Sequence, residues 1–192
     1  MTSELHAIVG LGNPGAEYER TRHNAGFWFV DQLADAARVP LRSEAKFHGQ
    51  LARIKLGGRD VLLLKPGTFM NRSGQSVQAL AQFYKLAPAS ILVAHDELDL
   101  PAGTVRLKAG GGHGGHNGLR DIHKALGDGY LRLRVGIGHP GDKNLVLNYV
   151  LGRPSRDDDE TIRGSLIDAA GAVETWLTRG WDHALKQLHT AK

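Results

Sequence analysis

Four short apolar runs, Leu5 to Val9, Asp60 to Leu64, Ile91 to His95 and Leu131 to Val135, alternate with stretches of helical periodicity, and this alternation constrains the fold more than any other feature. Each helix must bury one stripe against a sheet, so the pattern predicts an α/β fold with helices on both faces. Helices are expected from about Ala25 to Ala37, from Ser73 to before Pro88, and from Asn117 to Leu126. Phe47 to Leu56 and Asp60 to Leu64 read as a hairpin turned by Gly57-Gly58. After Gly152-Arg153-Pro154 the chain ends in helices, with Ile162, Leu166, Ile167, Ala170, Val173 and Leu177 as one apolar stripe and Asp157 to Glu160 suited to a helix N-terminus. The 192 residues fit one domain over 1–192, long enough to bury roughly 70% of its unfolded surface without metal or disulfide staples.

Cysteine is absent, which excludes disulfides, thiol nucleophiles and cysteine-ligated metal sites. No stretch approaches the roughly 18 apolar residues of a membrane span, and Met1 to Ala7 has no apolar leader, so a soluble, cytoplasmic protein is expected.

The first run closes on Gly10-Leu11-Gly12-Asn13-Pro14-Gly15, and eight residues later stands His23, between Arg22 and Asn24. The glycines match G-x-G-x-x-G, but a dinucleotide fingerprint needs the helix to open at the third glycine and an acid ending the next strand. Here Pro14 and the polar stretch Glu17 to Asn24 delay the helix, and Asp31 and Asp35 fall inside it. His23 instead belongs near the C-terminal end of a first strand, where ligands of open α/β sheets bind, and imidazole exchanges protons near neutrality. Asp96 ends another strand, so the two can converge: the carboxylate would accept a hydrogen bond from one ring nitrogen while the other draws a proton from water. No serine occupies a nucleophile elbow. Asn13, Asn24, Asn71 and Asn117 offer neutral donors and acceptors for a carbonyl or oxyanion, although turns are the commonest work of asparagine. A metal-dependent hydrolase is the alternative, with His95-Asp96 and His113-x-x-His116 as ligands, although the surrounding glycines argue against a helix there.

Residues 100–145 hold seven Lys/Arg against three acids, an excess equal to the whole net charge of +4. In Thr104 to Lys108 and Leu131 to Val135 the basic residues alternate with apolar ones, giving each strand one basic face, and Gly136 and Gly138 extend it as a smooth lane for a phosphate backbone. A solvated basic surface is the bland reading of the same residues. A non-catalytic RNA-binding module is a further alternative, against which stands the absence of a stacking aromatic pair on those strands.

Five blocks in order, Gly-Leu-Gly-Asn-Pro-Gly (10–15), Tyr18-x-x-Thr-Arg-His-Asn (18–24), Thr-Phe-Met-Asn-x-Ser-Gly (68–74), His-Asp-Glu-Leu-Asp (95–99) and Gly-Gly-Gly-His-Gly-Gly-His-Asn-Gly-Leu-Arg-Asp-Ile (110–122), give the chain its resemblance to the bacterial peptidyl-tRNA hydrolases. The resemblance runs from about residue 5 to the last helices. It implies a twisted mixed, mostly parallel sheet flanked by helices on both faces, usually in a monomer. It also implies cleavage of the ester between a peptide and the 3′-terminal ribose of tRNA, without metal or other cofactor, recycling tRNA from chains that ribosomes release prematurely. On that pattern His23 is the proton acceptor and Asp96 holds its basic form. Asn13 would distinguish N-blocked peptides from a free aminoacyl amine. Tyr18, Phe69, Asn71, His116 and Asn117 would contact the tRNA end or the adjoining peptide, with Asn117 also near the attacking water. Lys108, Arg134 and Lys143 would hold phosphates.

Overall fold

Alternate residues of the apolar runs face opposite ways, and in the computed structural model, which describes residues 4–190, that alternation builds two separate cores. Residues 1–3, part of the N-terminal stretch read above as lacking an apolar leader, and residues 191–192 lie outside the described residues. The strands are β1 (His6–Gly10), β2 (Arg42–Glu44), β3 (Gly49–Leu56), β4 (Arg59–Pro66), β5 (Ile91–Glu97), β6 (Val105–Ala109) and β7 (Leu131–Gly136). The helices are α1 (Ala25–Ala37), α2 (Ser73–Tyr84), α3 (Asn117–Leu126), α4 (Val146–Val150), α5 (Arg156–Arg179) and α6 (Trp181–Thr190).

One sheet takes the order β2-β3-β4-β1-β5-β7-β6. Its centre, β4-β1-β5-β7, is parallel, and the outer pairings β2-β3, β3-β4 and β6-β7 are antiparallel. The sheet is therefore mixed, with most strands running one way. Ile8, Val61, Leu63, Leu92 and Ala94 face α1, α5 and α6, whereas Ala7, Val9, Leu62, Leu64 and Val93 face α2 and α3. Both faces being covered explains why the central strands read as continuous apolar runs. Each Val, Leu or Ile side chain buried completely there contributes roughly 1.5–3 kcal/mol.

From β1 the chain builds β4 on one side and later β5 on the other, so the sheet order reverses between β1 and β5. A crevice opens at such a switch point, beyond the C-terminal strand ends. The Gly10 loop packs there against α1 at a distance only glycine allows: a Cβ on Gly26 would lie 2.3 Å from the Ala94 carbonyl oxygen and 2.6 Å from the Leu11 nitrogen. The G-x-G-x-x-G match is thus a packing feature of loop on helix.

The terminal stripe differs from expectation. On α5 the buried positions are Ile162, Ser165, Leu166, Ala169, Ala172, Val173, Trp176 and Leu177, while Ile167 is 67% exposed and Ala170 only partly buried. At about 100° per residue Ile167 falls well off the line through Ile162, Leu166 and Val173, and small residues fill the inward places instead. The acidic first turn, Asp157 to Asp159, lies at the N-terminus as expected, behind the Ser155 cap. No helix among the described residues is long and apolar enough to cross a membrane.

Candidate active site

His23 lies in the 3₁₀ turn Arg22–Asn24 between the glycine loop and α1, and Asp96 lies near the end of β5. The parallel register that sets Gly10 beside Ala94 carries β5 two residues further, to where the returning chain brings His23. His23 Nδ1 donates to Asp96 Oδ2 at 2.8 Å. Because a carboxylate only accepts, the hydrogen sits on Nδ1 and Nε2 is left as the basic nitrogen, in a residue lining a cavity of about 450 Å³.

A third residue completes the cluster. His116 Nε2 donates to Asp96 Oδ1 at 2.8 Å, and its Nδ1 caps α3 by accepting from the backbone N–H of Gly118 and Leu119 at 3.1 and 3.3 Å. The two bonds fix one tautomer and commit both sides of the ring. Asp96, its side chain 2% exposed, thus has an imidazole donor on each oxygen. Burial would raise the Asp96 pKa, but His23 and His116 hold it well below the usual carboxylate range. Burial would lower that of His23, yet the charge and hydrogen bond of Asp96 outweigh it, so His23 titrates above its ordinary value. The neighbouring His95 donates from Nδ1 to the Asp96 carbonyl oxygen, and burial, then the adjacent His116, pushes its pKa down to about 4.

The glycine loop holds the asparagines. Asn24 is buried, accepting from the Asn13 backbone N–H at 2.8 Å and donating to the Asn13 carbonyl at 2.9 Å, so its amide shapes the loop. Asn13 Oδ1 accepts from the Met70 N–H at 2.7 Å, which leaves its Nδ2 amide as the donor. Asn117, the first residue of α3, lines the cavity with His23, Asp96, His116 and Lys143, and Val146, Leu147 and Val150 form an apolar wall. That wall is tied to the Arg22–Asn24 turn: the Arg22 guanidinium donates to the Tyr149 carbonyl at 2.9 Å and stacks 3.8 Å over its ring. Tyr18 and Phe69 meet edge to face, their centroids 6.4 Å apart, and Phe69 is 53% exposed with φ +59°, a conformation costly for a bulky residue. Asn71 is exposed beside Phe69 in a separate depression of about 340 Å³.

Two sequence readings are altered here. His113 and His116 both line the cavity, but their rings do not converge as a ligand pair: His113 packs toward His123, with centroids 5.7 Å apart, while His116 joins His23 and Asp96. The ligand atoms of those three lie within 4.8 Å of one another, but both imidazole donors already satisfy the carboxylate. The lane beside the basic strands is closed as well, because a Cβ on Gly136 would meet the Pro101 carbonyl oxygen at 2.2 Å and that of Thr104 at 2.6 Å. Gly138 leaves the strand, with φ +79°.

The basic face itself is present, since Arg106 pairs with Arg134 and Lys108 with Arg132 across β6 and β7. Its members differ, however. Lys108 is exposed, and Arg134, 26% exposed, donates from Nε to Glu97 Oε1 at 2.8 Å. Arg132 is buried. Lys108, Arg132 and Arg134 line a depression of about 220 Å³ that shares His95, Glu97, Asp99, His113 and Gly114 with the larger cavity. The His116 cap, the buried His95 and the Glu97–Arg134 pair escaped sequence reasoning, because a glycine run has no periodicity and an ion pair between strands leaves no spacing to read.

Residues 7–192 match the family model described as peptidyl-tRNA hydrolase. A crystal structure of peptidyl-tRNA hydrolase from Acinetobacter baumannii is 50% identical, with TM-score 0.95 over 100% of this chain and 98% of that one. A second, of a peptidyl-tRNA hydrolase in complex with N-propanol, is also 50% identical, with TM-score 0.94 over 98% of this chain and 96% of that one.

Proposed function

The chain belongs to the peptidyl-tRNA hydrolase family, and from that membership we propose that it cleaves the ester between an N-blocked peptide and the 3′-terminal ribose of tRNA with water activated by His23. The observation that carries the mechanism is the 2.8 Å bond from His23 Nδ1 to the buried Asp96 carboxylate at the wall of the cavity. His23 Nε2 takes a proton from water as the oxygen attacks the ester carbonyl carbon, and Asp96 stabilises the imidazolium that forms. Asn117, at the cavity, supplies a neutral donor for the oxyanion or the peptide carbonyl, and the Asn13 amide offers a second from a separate depression of about 320 Å³. When the bond to the ribose oxygen breaks, His23 returns the proton to that oxygen, so free tRNA and a peptide with a C-terminal carboxylic acid leave, the acid then losing its remaining proton to water. His116 keeps Asp96 ionised and oriented from the other side.

Tyr18, Phe69 and Asn71 form the surface for the tRNA end, and Lys108, Arg134 and Lys143 the phosphate contacts. The described residues would act as one catalytic domain, working as a cytoplasmic monomer. The deciding assay incubates N-acetyl-aminoacyl-tRNA with the protein and with His23→Ala and scores free tRNA. The wild type releases tRNA, and the variant loses about 10² to 10⁴ in kcat while tRNA affinity stays within twofold. A folded His23→Ala protein with wild-type kcat would sink the assignment.

A further inference from the structure

Arg132 is a buried cation whose contacts among the described residues contain no carboxylate. It is 2% exposed, its guanidinium carbon lies 4.7 Å over the Tyr130 ring, and its Nε is buried without a hydrogen-bond partner. Its two terminal nitrogens donate to backbone carbonyls, one to Gly112 and the other to Gly111 at 2.6 Å. Burying a guanidinium on neutral acceptors is expensive, and an apolar side chain would fill the place at less cost.

What the arrangement secures is the loop from Gly110 to Gly115. Gly110, Gly111, Gly114 and Gly115 all have positive φ, between 58° and 103°, so the loop has almost no side chains with which to hold itself. A second donor meets the same carbonyl: His123 Nε2 lies 3.0 Å from the Gly111 oxygen, and its Nδ1 accepts from Tyr130 Oη at 2.8 Å. The far end of the loop delivers His116 to Asp96 and Asn117 to the cavity. Misplacing such groups by about 1 Å can cost on the order of 10² in rate.

We propose that Arg132 is a positioning residue, whose guanidinium fixes the Gly111 and Gly112 carbonyls and through them the loop that places His116 against Asp96. The inference rests on the acid–base reading of Asp96. Arg132 and Arg134 share a strand face and both line the depression of about 220 Å³, but Arg132 is 2% exposed and holds backbone carbonyls, whereas the Arg134 side chain is 26% exposed and pairs with Glu97.

The test compares Arg132→Met and Arg132→Lys on N-acetyl-aminoacyl-tRNA and follows the His116 Nε2–H resonance by NMR, a readout independent of turnover. Arg132→Met is expected to lose about tenfold in kcat, with KM and its salt dependence parallel to wild type, and with the resonance shifted or broadened by exchange. Arg132→Lys, which reaches one carbonyl, falls between, and added guanidinium ion at millimolar concentration restores part of the Arg132→Met rate. An unmoved resonance with wild-type kcat overturns the proposal. So does a loss confined to KM with a flatter salt slope, which would make Arg132 a phosphate contact. A shifted resonance with unchanged kcat would instead overturn the acid–base reading of Asp96. If Arg132→Met does not fold, His123→Ala removes the second donor to Gly111 and is expected to act in the same direction by about two- to threefold; no change in either readout there also overturns the proposal.

Discussion

The cluster around Asp96 and the basic face of β6 and β7 are neighbours built on opposite rules. Around Asp96 few ionisable groups are present and each is held twice, by burial and by a directed hydrogen bond. On the basic face several cations share one alternating pattern, yet Arg132 is consumed by backbone carbonyls, Arg134 is partly neutralised by Glu97, and Lys108 stands in solvent. Chemistry needs fixed geometry, because a proton is transferred only at hydrogen-bond distance. Holding a polyanion needs charge within a Debye length and tolerates motion. Identical residues in identical spacing therefore divide into structural and binding groups, and only burial and partners tell which is which.

The contrast predicts that substitutions in the first region act on kcat and those in the second on KM. The largest effect belongs to His23→Ala, as above. Asp96→Asn is expected next, lowering kcat by on the order of 10² while the imidazole remains. Its signature is in the pH profile. On the proposed mechanism turnover requires neutral His23, so kcat is expected to climb as pH rises through a pKa that Asp96 holds above 6.5. Removing the carboxylate charge leaves burial, which lowers that pKa, so the acidic limb moves to lower pH as the plateau drops. An acidic limb that stays in place takes Asp96 out of the mechanism.

On the basic face, Lys108→Ala is expected to raise KM several-fold at constant kcat and to flatten the slope of log affinity against log salt by about 0.7 to 0.9. Glu97→Gln should do the reverse, tightening tRNA binding by releasing Arg134, and a minimal ester without the tRNA body should register neither change. If Lys108→Ala altered kcat instead, the two regions would not be separable. The smallest expected effect is that of EDTA, for which activity should be unchanged within error. Chelator-sensitive turnover restored by zinc or manganese would turn His23, Asp96 and His116 into metal ligands.

Where local chemistry and packing agree, the elements were readable from residues alone. α1 and α3 occupy Ala25–Ala37 and Asn117–Leu126 as expected, since a polar approach and a glycine-rich entry delimit their starts. The hairpin begins at Gly49 rather than Phe47 because Phe47 is drawn into a 3₁₀ turn and packs against Phe83 and Tyr84. β5 runs on to Glu97 because Asp96 and Glu97 still pair with Val135 and Gly136. The convergence of His23 and Asp96 followed from strand ends, a topological property. The burial of Arg132 and the exposure of Ile167 did not, since alternation and helical period say which face a residue takes but not what covers that face.

His116 ends one structure and begins another, and this makes position 116 unusually hard to change. Serine, aspartate or asparagine could satisfy the first amides of α3, but each is too short to reach Asp96 as well. A longer donor could reach the carboxylate and would leave the helix end bare. The amide protons of Gly118 and Leu119 consequently act as built-in reporters: their hydrogen-exchange protection registers whether the Asp96 carboxylate is being held, in a protein carrying no label and no substrate.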